Sequence, residues 1–264
     1  MFLPLKFWLL GVVLNTVLLS ISWFIPKKLL TPTGAIHAWF LGVLLWVSLG
    51  WRAYLLVMFY FLVGSTVTRI GIREKEALGI AEKRSGARGP ENVWGSALTG
   101  AICAVSIFLI NWLYPGQIVP NWVSSTTSLL LLGFVASFST KLSDTCASEV
   151  GKAYGKSTFL ITTLQAVPRG TEGAVSLEGT VAGIFGSIAI ALVGWSVGLT
   201  DLIGVVWCVI AAFVATNLES VIGATLQSRY EWLTNELVNI VNTLIGAVTA
   251  ASLGWLWLSF GIFI

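Results

Sequence analysis

The sequence predicts an all-α fold, a polytopic transmembrane helical bundle of about eight membrane helices, organised as a single integral membrane domain over residues 1–264. Three observations carry that prediction. Apolar stretches close to the ~20 residues needed to cross the hydrocarbon core recur at about 7–25, 33–50, 53–70, 94–113, 126–143, 177–200, 202–220 and 240–262. Charged residues make up 10% of the chain and hydrophobic ones 56%, whereas a soluble domain carries roughly 25% charge. Finally, the charge alternates. If all eight stretches span, 13 of the 15 basic residues fall on one side: Lys27, Lys28, Arg69, Arg73, Lys75, Lys83, Arg84, Arg88, Lys141, Lys152, Lys156, Arg169 and Arg229. Only Lys6 and Arg52 fall on the other. The positive-inside rule then places both termini away from the cytoplasm or its equivalent, and a miscount by one helix would scramble the separation.

The first stretch, flanked by Lys6 and Lys27-Lys28, reads as a retained helix rather than a cleaved signal peptide. Without a polar leader resembling a transit peptide, a bacterial or a mature organellar chain is the expectation. The second stretch contains His37, the only histidine. It has no carboxylate at helical spacing and reads as packed. Many of the thirteen Trp, including Trp23, Trp51, Trp94, Trp112, Trp122 and Trp255, sit near segment ends, where amphipathic rings favour the interface. Gly179 and Gly183 open the sixth stretch with the spacing that lets two helix backbones approach closely. Cys103, Cys146 and Cys208 lack disulfide or zinc spacing. The net charge of +3 is that of the orienting loops and implies no nucleic acid.

Eleven of the twelve acidic residues share the basic side, leaving only Asp201 opposite. Acidic residues contribute little to orientation, so mixed charge at this density points to chemistry on that face. Three segments carry it, at 69–93, 139–179 and 216–242. In the first, Ser85-Gly86-Ala87-Arg88-Gly89 sets flexible backbone beside a guanidinium, a pairing suited to phosphate. In the second, Lys141, Asp144, Thr145 and Ser148 share a helical stripe with Glu149 at its edge. Asp144 follows an apolar run and is costly at that depth unless a cation faces it. With Gly151, Lys152 and Lys156, this set has what a Mg²⁺–polyphosphate complex uses: hard oxygen ligands in Asp144 and Glu149, and ammonium groups with open backbone for phosphates. The run Gly151-Lys-Ala-Tyr-Gly155-Lys156-Ser157 is one residue short of a Walker A loop and lacks its strand.

Further on, Pro168-Arg169-Gly170-Thr171-Glu172-Gly173 marks a turn that adds Arg169, Thr171 and Glu172 to the candidate pocket, while Glu178 suits a helix first turn. In the third segment, Asn217 and Glu219 close the seventh stretch, and Asn235, Glu236, Asn239 and Asn242 recur along one face of the eighth. That face could line a pocket or serve as interhelical hydrogen-bonding glue.

Ser143-Asp144-Thr145-x-Ala147-Ser148-Glu149-x-Gly151, with Pro168-Arg169-Gly170-Thr171-Glu172-Gly173 and Gly86-x-Arg88, resembles the polytopic family that includes phytyl-phosphate kinase of tocopherol synthesis and transmembrane protein 19. The resemblance runs from the loop at 83 to the eighth helix. More distantly, Asp144-Thr145, Gly151, Gly155-Lys156 and Thr171-Glu172-Gly173 are similar to the signature of CDP-diacylglycerol synthases and of CTP-using dolichol and phytol kinases. The synthases carry Ser-Pro-x-Lys-Thr where this chain has Val-Pro-Arg-Gly-Thr, a departure that weighs against cytidylyl transfer.

The resemblance implies phosphoryl transfer from CTP, with Mg²⁺, to phytyl monophosphate. Asp144 and Glu149 would hold the metal, Lys152, Lys156, Arg169 and Arg88 would clamp phosphates, and Glu172 would take a second metal or orient Arg169. Such catalysis is mostly positioning and charge neutralisation. A phosphate acceptor, largely dianionic at neutral pH, needs no strong general base, in keeping with the lack of a histidine near the motif. The implied partners are the lipid membrane, an isoprenoid phosphate and a nucleoside triphosphate, with a homo-oligomer allowed. The implied setting is a bacterial or cyanobacterial inner or thylakoid membrane, or a chloroplast envelope, with the basic loops cytoplasmic or stromal. Phytol kinase and lipid-phosphate cytidylyltransferase chemistry remain as alternatives, as does a transporter, which would spread polar residues through the midplane of broken helices.

Overall fold

The computed structural model describes residues 5–24, 28–115, 120–227 and 229–260. Lys27 lies outside them, as do the last residue of the first apolar stretch and the last two of the eighth. The chain is helical along its long elements: α1 (Leu5–Trp23), α2 (Pro32–Val67), the short α3 (Ile72–Ala77), α4 (Pro90–Leu113), α5 (Asn121–Tyr154), α6 (Leu177–Ser196), α7 (Leu202–Ile222) and α8 (Asn235–Ser259). Seven of these are long and apolar enough to cross a membrane.

Among the described residues the crossings nevertheless number eight, because α2 is two of them. A straight helix of its 36 residues would extend about 54 Å, well beyond a ~30 Å hydrocarbon core. At Gly50 the backbone takes φ 74° and ψ −162°, a conformation open almost only to glycine, and the chain folds back. Its two ends therefore meet. An Arg69 guanidinium N–H donates to the Lys28 carbonyl at 2.9 Å, and Trp46 packs edge-on against Tyr54 across the bend at 5.5 Å. The two arms of α2, before and after Gly50, also share Asn15 of α1, which accepts from Tyr54 Oη at 3.1 Å and lies against Gly42. Sequence gaps at 51–52 thus correspond to a hairpin bend, with Arg52 beside the α6–α7 turn at Gly198.

The axis of the bundle is α5, which touches α2, α4, α6, α7 and α8 and whose Phe134, Val135, Ala136, Phe138 and Leu142 are fully buried. The α6 helix lies on it backbone to backbone: a Cβ at Gly179 would stand 2.5 Å from the Ala147 carbonyl oxygen, and one at Gly183 3.0 Å from that of Ser143. This is the small-residue approach that the spacing predicted. His37 accepts a hydrogen bond from Trp94 Nε1 at 2.9 Å, and the three cysteines are free and buried.

Two features differ from the sequence reading. The helices run past the apolar stretches that end at 143 and 220, so that residues 144–154 are the last turns of α5 and 221–222 the end of α7. Between α5 and α6 the chain forms a small antiparallel ribbon, β1 (Thr158–Leu160) with β2 (Ala174–Ser176), in register Thr158 to Ser176. Ser176 then caps α6 by accepting from Gly179 N–H at 3.1 Å, which leaves Glu178 in the first turn. Past α7 the helix widens into a π turn at 223–227.

Candidate active site

A cavity of about 710 Å³ opens at the end of the bundle where the basic residues collect, within the usual range for small-molecule sites. Its floor is the last turns of α5. Its walls come from the 68–93 segment, the ribbon, the ends of α6 and α7 and the start of α8.

At the floor, Lys141 Nζ donates to Asp144 Oδ2 at 2.5 Å and to Asn239 Oδ1 at 2.7 Å, joining α5 to α8. Both members of the ion pair are about nine-tenths buried. This supplies the base that Asp144 requires at its depth. Thr145 Oγ1 returns to the Lys141 carbonyl at 2.9 Å, and Thr216 of α7 meets Ser143 at 3.3 Å. Glu219, one turn beyond Thr216, stands within electrostatic reach of Asp144, Lys141, Glu172 and Lys152. Asp144, Glu172 and Glu219 therefore share one concavity with the ammonium groups of Lys141 and Lys152.

A second buried pair secures the wall. Lys75 of α3 is fully buried, donating to Glu149 and, at 2.9 Å, to the Thr68 carbonyl. The other Glu149 oxygen faces Lys152 Nζ at 3.8 Å, and Lys152 reaches Glu82 at 3.9 Å. These contacts press the 68–93 segment onto α5. Within it, Arg84 is engaged by Glu91 and Asn92. Arg88 is different: its Nη1 donates to Tyr60 Oη at 2.8 Å and its guanidinium lies 5.1 Å from the Tyr60 ring, but no carboxylate among the described residues stands within ion-pair distance.

Thirteen of the sixteen candidate residues line the cavity. From the 68–93 segment and α5 come Arg88, Lys141, Asp144, Thr145, Ser148, Glu149, Gly151 and Lys152. Thr171 and Glu172 come from the ribbon's connection, Asn217 and Glu219 from α7, and Asn239 from α8. Lys156, Arg169 and Asn242 do not line it. Lys156 is exposed past the end of α5, because the helix stops at Tyr154 and the ribbon leads the chain away. Arg169 instead ties the end of α5 to α3, donating to the Ala153 carbonyl at 3.1 Å and to Glu74 at 3.5 Å. Asn242 is wholly buried a turn deeper than Asn239, and its amide has no partner among the described residues.

The donor set can be weighed against Mg²⁺, which takes one or two carboxylates and completes its octahedron with phosphate oxygens and water. Among the described residues no three His, Cys, Asp or Glu side chains cluster at metal-binding spacing. Asp144, Glu172 and Glu219 face the cavity and fit a metal brought in with a triphosphate. Glu149 fits less well than its sequence position implied, since each of its oxygens already faces a lysine.

Sequence reasoning passed over Lys75 and Tyr60. Lys75 sits in Arg73-Glu74-Lys75-Glu76, which has the composition of a solvated loop, and its partner lies 74 residues away. The one available signal for Tyr60 was a hydroxyl inside an apolar run.

The family model for "Integral membrane protein DUF92" matches residues 15–247. An uncharacterized membrane protein of Synechocystis sp. is 63% identical over 92% of this chain and 90% of its own length. Protein VTE6, chloroplastic, of Arabidopsis thaliana is 43% identical over 84% of this chain, which spans 64% of that relative. An uncharacterized membrane protein of Methanocaldococcus jannaschii is 31% identical over 84% of both chains. No solved structure matches the chain.

Proposed function

The chain belongs to the DUF92 family of integral membrane proteins, and from that premise we propose that it is a membrane-embedded prenyl-phosphate kinase, transferring a phosphoryl group from a nucleoside triphosphate, CTP by resemblance, to phytyl monophosphate. The observation that carries the reading is Arg88: a guanidinium without a carboxylate partner among the described residues, held by Tyr60 at the edge of a cavity that also contains Lys141, Lys152, Asp144 and Glu219. A cation held this way lacks only an anion, and planar guanidinium suits phosphate. The similarity to the chloroplastic protein VTE6 of Arabidopsis thaliana supports this reading.

In this reading Arg88 of the 68–93 segment and Lys152 of α5 grip phosphate oxygens, and Lys141, fixed by Asp144 and Asn239, supplies positive charge at the floor. Mg²⁺, when bound, would be held by Asp144 with Glu219 or Glu172, and would neutralise charge on the triphosphate. Glu149 acts indirectly, by holding Lys75 and Lys152 in place. The acceptor is already an anion, so the protein's task is to align it and to screen repulsion between two phosphates. Ser148 and Thr171, which also line the cavity, offer hydroxyls to the same oxygens. A transporter is less well supported: α4 to α8 run unbroken through mid-depth, and the breaks among the described residues, at Gly50 and 223–227, lie at helix ends.

The test is direct. Purified protein is incubated with Mg²⁺, labelled CTP or ATP, and phytol or phytyl phosphate. Labelled phytyl diphosphate with release of CDP is expected, and Asp144→Asn abolishes it. Pyrophosphate release would mean cytidylyl transfer instead, and an unlabelled acceptor with both donors would end the kinase assignment.

A further inference from the structure

We infer that the hydrocarbon tail of the phosphorylated lipid leaves the polar cavity sideways, through a port between α6 and α7 bounded by Ile184 and Phe213; this rests on the reading of the cavity as a prenyl-phosphate site. The argument begins with two ladders of side chains. On α6 and its cap, Ser176, Thr180 and Ile184 succeed one another at four-residue spacing, and all three line the cavity. On α7, Ser220, Thr216 and Phe213 follow at spacings of four and three residues, and all three also line the cavity. Residues so spaced share one helix face, so each ladder is a continuous strip. Both strips pass from hydroxyl to hydrocarbon as they leave the charged end of the bundle.

The two apolar rungs stand at similar depth. Ile184 lies seven residues into α6, about 10 Å from its start, and Phe213 nine residues before the end of α7, about 14 Å from it. The α6 and α7 helices pack against each other, so the strips flank one seam. Phe213 is 46% exposed although it lines the cavity, and on a membrane crossing that exposure faces acyl chains. A side chain that touches both the cavity and the lipid marks a lateral opening.

The other walls offer no such route. Tyr60, the apolar liner from α2, is 3% exposed. The α4 and α8 contributions are polar: Asn92, Ser96, Asn235, Glu236 and Asn239. A polyphosphate head and a branched tail need opposite solvents, and the ladders supply the gradient between them. A separate apolar cleft of about 180 Å³ lies between α7 and α8, lined by Val238 and Val241, and serves as the internal comparison.

The experiment uses the full chain in detergent micelles and a saturated isoprenoid monophosphate bearing a diazirine in the second isoprene unit from the phosphate. Photolysis without nucleotide is expected to label peptides containing Ile184 or Phe213. Ile184→Trp should weaken binding of a long-tailed monophosphate about tenfold, the loss when about two methylenes are kept from burial, while a short-tailed one loses less than about twofold. Phe213→Ala should admit bulkier tails than the parent accepts, a gain that a misfolded protein could not show. Val241→Trp, in the separate cleft, should change neither. Labelling at the port without phosphoryl transfer from any nucleotide would keep the port and refute the kinase. Transfer with labelling at Val238 or Val241, or with no labelling of α6 or α7, would refute the port and keep the kinase.

Discussion

Removing Lys75 tests how the cavity wall is held. Its ammonium is fully buried and serves two acceptors, Glu149 and the Thr68 carbonyl at 2.9 Å. Lys75→Met preserves length and apolar volume but leaves Glu149, itself 2% exposed, with Lys152 at 3.8 Å as its remaining cation. Breaking one side of a buried ion pair costs about 3–5 kcal/mol, because the remaining charge keeps its desolvation penalty without its partner. The Thr68 carbonyl adds about 1 kcal/mol or more if no water reaches it. Lys75→Met with Glu149→Leu removes both charges, so most of that loss should return. The assay is reversible denaturation in mixed micelles across the double-mutant cycle, with limited proteolysis of residues 69–93 as the local readout. In the single variant that segment should be cut faster, since the pair joins α3 to α5. A single variant within about 1 kcal/mol of the parent, or a double variant no better than the single, would refute the claim that this pair clamps the wall.

Other outcomes follow from the same geometry. Arg88→Lys keeps the charge but loses the fork and the stacking on Tyr60 and Phe61, so KM for phosphate substrates should rise by about tenfold with the fold intact; an unchanged KM would contradict a phosphate role. Gly179→Val should destabilise strongly, since even a Cβ would meet the Ala147 carbonyl oxygen at 2.5 Å; a melting curve like the parent's would mean α6 does not pack there. Gly50→Ala meets no atom within 4 Å, so its expected loss of about 1–3 kcal/mol is backbone strain alone, and a neutral effect would imply a different bend.

The bundle was legible in the sequence because each crossing is a local property. Length and hydropathy mark a span without reference to any other span, and alternation of charge orders the ends. That logic located the eight crossings, although the structure runs two of them into one broken helix, and it located Asp144 at the point where α5 becomes polar. Which residue would stand opposite was another matter. Helical period correctly grouped Lys141, Asp144, Thr145 and Ser148, all on one helix and all in the cavity. It did not anticipate that Arg169 would turn back to Ala153 and Glu74, or that Lys156 would follow the chain away from the site.

Sequence by itself therefore determined that this is a polytopic membrane protein with most of its charged residues gathered at one end, because burial of apolar length and the cost of charge in hydrocarbon act residue by residue. Tertiary structure alone decided the pairings: Lys75 with Glu149, 74 positions apart, and Lys141 with Asn239, 98 apart. Such partners are chosen by how helices pack. A buried charge takes whichever counter-charge or amide the neighbouring helix brings within reach, and neither periodicity nor composition along one segment encodes that neighbour.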